Sequence, residues 1–160
     1  MRALICEQWC ELDDLRVGEL PTPSPADDEV LIRVQATAIN YADSIMVRGH
    51  YQTKPPFPFS PGLETAGEIV ECGSAVSQFA AGDRVMAILA YGGLAEYAVA
   101  KAAEVYRIPD GMSWSDAAAF PIAYISSDVA IRWQGRLDAS ETMLVLGAAG
   151  CLLVLDPFAD

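Results

Sequence analysis

Proline and glycine decide most of what this chain can fold into. Ten prolines and twelve glycines punctuate its 160 residues, and through the first hundred or so they separate a series of short apolar segments. Pro21, Pro23 and Pro25 forbid regular structure where they stand, because each fixes φ and lacks an N–H. The run Lys54-Pro55-Pro56-Phe57-Pro58-Phe59-Ser60-Pro61-Gly62 can only be an extended loop. Between these breaks, the segments 2–6, 15–20, 29–36, 66–71, 84–89, 94–99 and 105–108 read as strands. In the third, Val30, Ile32 and Val34 alternate with Leu31, Arg33 and Gln35, the pattern of a strand with one mostly buried face. Short strands at this spacing predict a small barrel. A short helix is expected over residues 40–47, stopped by Gly49.

The texture changes at Ser113. Residues 113–120 and 121–133 read as two helices, with Ser113 as N-cap of the first. Thr142 to Leu146 is a mostly apolar strand that runs into the turn Gly147-Ala148-Ala149-Gly150. The fold class is therefore mainly β with α: a barrel, then helices, then the opening strand of a parallel α/β sheet. Ten residues follow Gly150, whereas a dinucleotide-binding sheet needs several further βαβ units of ~30 residues each.

Charge narrows the partners. Ten Lys plus Arg against 22 Asp plus Glu leave a formal net charge of −12. Nucleic acid recruits cations to its phosphates, and this chain has two lysines, Lys54 and Lys101, so nucleic acid is not an expected partner. An anionic membrane surface is not an expected partner either, on the same ground. No segment reaches the ~18 uncharged apolar residues of a membrane span, and Glu7 interrupts the N-terminus before a signal-peptide core is formed. A cytoplasmic location is expected. The four cysteines, Cys6, Cys10, Cys72 and Cys151, have no paired framework and read as free thiols.

Four stretches, in order, carry a resemblance. The first is Asn40-Tyr41-Ala42-Asp43 with Arg48-Gly49-His50-Tyr51. The second runs from Pro61-Gly62-Leu63-Glu64-Thr65-Ala66-Gly67 through Gly73 and Val76 to Gly82-Asp83-Arg84-Val85. Phe120-Pro121-Ile122-Ala123-Tyr124 and Val145-Leu146-Gly147-Ala148-Ala149-Gly150 complete the set. Over residues 1–150 the chain resembles the N-terminal half of the medium-chain dehydrogenases/reductases, specifically the zeta-crystallin-like quinone oxidoreductases. The resemblance implies a GroES-like barrel followed by a Rossmann domain, with NADPH between them. It also implies three segments: a GroES-like catalytic domain over 1–125 lacking its C-terminal return, the start of a Rossmann domain over 126–150, and a divergent tail over 151–160.

The same resemblance bears on chemistry. Zinc alcohol dehydrogenases, more distantly similar, place metal ligands where this chain has Asn40, Leu63 and a position near Ile122. Asn is a poor zinc ligand, and Leu and Ile offer no donor, so no metal site is expected. His50, the single histidine, reads as a solvated loop residue. Zinc-free hydride transfer suits an acceptor that is already electrophilic, a quinone or an activated enone. The resemblance gives Asn40 and Tyr51 to the catalytic site, Asn40 as amide donor to the substrate oxygen or nicotinamide and Tyr51 as a flat pocket wall. It gives Asn40, Ser126, Gly147, Ala148, Ala149 and Gly150 to the cofactor.

Each of these residues also has a plain structural reading. Asn40 can cap the short helix, Tyr51 can pack beneath the proline loop, and Ser126 can bond back to a helix carbonyl. Glu64 reads as a structural hydrogen-bonding group, and Gly62, Gly67, Gly73 and Gly82 as backbone requirements. After Ala148-Ala149-Gly150, the sequence Cys151-Leu152-Leu153 replaces the expected final glycine of the pyrophosphate turn, so NADPH binding by these 160 residues is expected to be impaired. Self-association is expected through exposed strands, the barrel edge and the unpaired apolar run Met143 to Leu146. The functional expectation is an NADPH-dependent quinone oxidoreductase-like protein. The alternatives are an enoyl reductase of the same superfamily, or a catalytically inactive barrel that serves as an interaction module.

Overall fold

In the computed structural model, residues 1–145 are described. They divide into two compact units, Met1–Ala119 and the segment from Phe120 onward. Among the described residues there are seven strands, all in the first unit: β1 (Arg2–Ile5), β2 (Arg16–Glu19), β3 (Glu29–Thr37), β4 (Glu64–Cys72), β5 (Arg84–Ile88), β6 (Tyr97–Lys101) and β7 (Val105–Arg107). β1 and β2 form an antiparallel pair from Arg2↔Glu19 to Ile5↔Arg16. The other five form one antiparallel sheet in the order β6-β3-β4-β5-β7.

The period-two pattern of β3 explains the core. Val30 and Ile32 are fully buried and meet Ile69 of β4, Val85 and Ala87 of β5, Ala98 and Ala100 of β6, and Val105 of β7. On the opposite face Arg33 is exposed and pairs with Glu68 at 2.7 Å. The sheet curls into half a barrel where the β3–β4 ladder is bulged at two places: Val70 of β4 is extra between the pairs of Leu31 and Ile32, and Gln35 of β3 is extra between those of Val34 and Ala36. A bulge adds a residue to one strand, bending it and sharpening its twist. Gly67, opposite Val34, is what lets the strands close up there. A Cβ at that position would run into the Arg33 carbonyl oxygen and lie 2.7 Å from the Ile32 side chain.

The segment expected as a strand over residues 94–99 forms later, as Tyr97–Lys101. Residues 94–96 are claimed by other partners: Leu94 bonds to Pro61 and Leu4, and Ala95 bridges Ala3. The helix expected near Asn40 is present as α1 (Tyr41–Val47), with Met46 and Val47 buried.

The two expected helices around Pro121 are one, α2 (Trp114–Asp128), which continues as a π-helical stretch over Val129–Gln134. A proline ring holds φ near its helical value, so the missing N–H costs a bond without ending the helix. Ser113 does cap α2, its Oγ accepting the Asp116 N–H at 3.1 Å. The Arg84 guanidinium seats this end of α2, lying 4.3 Å from the Trp114 ring centre and donating to the Met112 carbonyl at 2.9 Å. The strand expected over Thr142–Leu146 is a correction. Residues 142–145 carry no strand, and a parallel strand exists only through ladder bonds to neighbours, which the described residues do not supply here. Leu146 lies outside the described residues.

Gly67→Ala is expected to lower unfolding stability by about 3 kcal/mol, since the added methyl meets backbone that cannot yield. Gly82→Ala, at φ +93° with nothing within 4 Å of the new methyl, should lose about 1 kcal/mol. Urea denaturation of the two variants checks the order.

Candidate functional site

Where β3 ends and β4 begins, the antiparallel register sets Thr37 beside Thr65. Two cross-strand hydroxyl bonds lock this end of the sheet. Thr37 Oγ1 donates to the Glu64 carbonyl at 2.7 Å, and Thr65 Oγ1 donates to the Ala36 carbonyl at 2.9 Å. The chain leaving β3 reaches Asn40, the N-cap of α1, within three residues of Thr37. Asn40 and Glu64, far apart in sequence, are thereby brought together. The Asn40 Nδ2–H donates to Glu64 Oε1 at 2.9 Å. Glu64 is 2% exposed, whereas Asn40 is half-buried.

Asp43 fixes the same corner from beneath. Its Oδ2 accepts the Asn40 backbone N–H at 2.7 Å, and its Oδ1 accepts the Gly62 N–H at 3.0 Å. Burial pushes this carboxyl above its ordinary range, although both N–H bonds pull the other way. Gly62 is held in turn by a strap, the Gly93 N–H donating to its carbonyl at 3.0 Å and the Leu94 N–H to the Pro61 carbonyl at 2.9 Å. Gly62 has φ +111°, and a Cβ there would lie 2.5 Å from the Leu94 nitrogen, so the loop needs glycine on both counts.

The arrangement has a definite chemical capacity. Glu64 as acceptor orients the Asn40 carboxamide with its NH2 toward the carboxylate. An amide nitrogen carries two hydrogens, so the one not given to Glu64 can serve a ligand oxygen. The result is a neutral donor on a rigid corner, held by two buried acidic side chains.

Other residues singled out from sequence stand elsewhere. Tyr51 is half-buried in the bend after α1, and His50 beside it is exposed. Leu63 is buried. Ser126 is exposed on α2; its neighbour Ser127 is the one that bonds back along the helix, donating to the Ala123 carbonyl at 2.9 Å. Gly147, Ala148, Ala149 and Gly150 lie outside the described residues. Among the described residues no group of three or more His, Cys, Asp or Glu side chains is placed to hold a metal ion, and no helix is long and apolar enough to cross a membrane. A cavity of about 930 Å³ lies between the Pro58–Ser60 loop, Ile88–Gly92 and β6, and neither Asn40, Asp43, Tyr51 nor Glu64 lines it.

Asp43 is the residue that reading the sequence for chemistry passed over. Its signal was available: an acidic side chain three residues after an Asn N-cap is capping-box spacing. Asp43→Ala would leave the Asn40 and Gly62 N–H groups without their acceptor, at an expected cost of about 3 kcal/mol at neutral pH. The folded carboxyl titrates above the ordinary 3.8, so the proton-linked part of Asp43's contribution is complete below that value and is lost as pH rises through the folded pKa, while the two N–H bonds remain. Unfolding curves collected across acidic pH should show this slope in the parent chain and not in the variant.

Residues 26–110 match the alcohol dehydrogenase GroES-like domain. Quinone oxidoreductase-like protein 2 of Rattus norvegicus is 36% identical over 157 residues, covering 97% of this chain and 44% of that protein. A probable oxidoreductase from Mycobacterium abscessus is similar in structure, with TM-score 0.86 and 33% identity over 94% of this chain and 48% of its own. A mycobacterial structure solved in complex with NADPH has TM-score 0.85 and 27% identity over 94% of this chain and 46% of its own. The chain spans about half the length of these relatives. It belongs to the alcohol dehydrogenase GroES-like domain family and corresponds to the N-terminal portion of a medium-chain dehydrogenase/reductase.

Proposed function

We propose that this chain forms the substrate side of a zinc-independent, NADPH-dependent reductase acting on a quinone or activated enone, with Asn40 as donor to the acceptor oxygen. The observation that carries the reading is the half-buried Asn40 amide, held by the buried Glu64 carboxylate with one N–H left to give.

Donor chemistry supports a reaction without metal. Asn40 offers a neutral amide, Leu63 offers nothing, and Ile122 on α2 offers nothing, so the ligands of a tetrahedral N/S site are not supplied at these positions. A nicotinamide fits the residues better. The Asn40 amide is a neutral partner suited to a carboxamide, and the NADPH-bound mycobacterial relative supports the choice of nucleotide. Gly147 to Gly150 would begin the pyrophosphate turn, in which Cys151-Leu152-Leu153 replaces the expected final glycine, so its hold on NADPH is weakened. NADPH supplies the hydride when bound.

The chain's own part is electrostatic and positional. As a quinone or enone is reduced, negative charge gathers on its oxygen, and a donor already aimed there stabilises that charge without reorganising. Asn40 is such a donor because Glu64 and Asp43 hold its amide and its backbone. Tyr51, in the bend after α1, presents a flat ring suited to a planar acceptor.

Asn40→Ala in the natural protein carrying this sequence is expected to lower kcat about 100-fold, the usual loss for one such donor. Tyr51→Ala should act chiefly on KM, and a chelator should leave the rate unchanged. Steady-state NADPH oxidation with a panel of quinones and enones measures all three. An unaltered kcat in Asn40→Ala, or a rate abolished by chelation, would contradict the reading.

A further inference from the structure

We propose that Cys6 and Cys10 form a reversible disulfide by exchange with a small-molecule disulfide of the glutathione class. Their sulfurs lie 3.9 Å apart. Joining them to the ~2.05 Å of a disulfide requires an approach of about 2 Å. The connecting residues can absorb it, because Glu7, Gln8 and Trp9 form a bend and Cys10 belongs to no helix or strand. The two ends are nonetheless tethered. Cys6 exchanges backbone bonds with Phe59 at 2.8 and 3.1 Å, and the Cys10 N–H donates to the Val47 carbonyl at 3.0 Å. These tethers hold the thiols as neighbours.

Burial orders the reaction. Cys6 is 0% exposed, whereas Cys10 is half-buried and is the thiol an outside reagent can reach. The Cys6 thiol is pushed up to about 12 by burial and by Cys10 beside it, which makes it a poor first nucleophile and a poor leaving group. In the first step Cys10, as thiolate, attacks one sulfur of glutathione disulfide. That S–S bond breaks, and one glutathione departs with the proton Cys10 gave up. In the second step the Cys6 sulfur attacks Cys10 within the mixed disulfide. The second glutathione leaves with the Cys6 proton. Two protein thiols are oxidised and one glutathione disulfide is reduced to two thiols. Reduction runs the same path backwards through attack on Cys10, and the poor Cys6 leaving group slows it.

The sequence supplies a clean assay, because Glu7 lies between the two cysteines. The intact chain is equilibrated in glutathione buffers of increasing disulfide content, quenched with an alkylating reagent, and cleaved after glutamate without reductant. The expected result is that the Cys6 and Cys10 peptides stay joined, two hydrogen masses short, and separate on adding dithiothreitol. Cys10→Ser should reduce this species at least tenfold, while Cys72→Ser leaves it unchanged. Cys10 found only as its glutathione adduct with Cys6 alkylated, both cysteines alkylated at every ratio, or Cys10 joined to Cys72 would each overturn the proposal.

Discussion

A carboxylate shut inside a protein must be partnered, since stripping water from it costs several kcal/mol that only hydrogen bonds and nearby dipoles can offset. Glu64 is such a group, and its position at the first residue of β4 makes it a hub. Its side chain accepts the Asn40 amide and its backbone carbonyl accepts the Thr37 hydroxyl, so β3, β4 and the start of α1 meet on one residue. Asp43 does the equivalent through its two oxygens, joining the α1 N-terminus to the Pro61–Gly62 loop. Without these two acids the Asn40 amide would have neither a fixed rotamer nor a fixed backbone beneath it.

The sheet makes this corner affordable. One bulge in β4 and one in β3 curl it, Gly67 allows the curled strands to approach, and a compact apolar layer from Val30 to Val105 fixes their register. A register set by alternation cannot slip by one residue without turning Val30 and Ile32 out to solvent. The end of β3 therefore always delivers Asn40 to the same place. Functional groups held by regular elements in this way are positioned more narrowly than groups on free loops.

Much of this was legible in the residues. The β3 alternation, the proline loop and the Ser113 cap are local signals, and the structure follows them. What was not legible depends on distant partners. Residues 94–96 look like a strand, yet they are spent on Pro61, Leu4 and Ala3, which no local pattern discloses. Pro121 looks like a helix boundary, yet proline φ is compatible with helix and α2 runs on. Thr142 to Val145 has the composition of a buried strand, but composition cannot provide neighbours to pair with. At the site, Asn40 was singled out through resemblance alone. Its bond to Glu64 required the fold, while Asp43 could have been recognised from its spacing to Asn40.

The central claim is that Asn40 gives a hydrogen bond to the oxygen of the molecule being reduced. The most direct measurement is a crystal structure of the natural protein carrying this sequence, soaked with a slowly turned-over quinone or enone. The account predicts the acceptor oxygen at ~2.9 Å from Asn40 Nδ2, with the Asn40–Glu64 bond still in place. An acceptor oxygen bound to another group, with Asn40 turned away or serving only to cap α1, would contradict it.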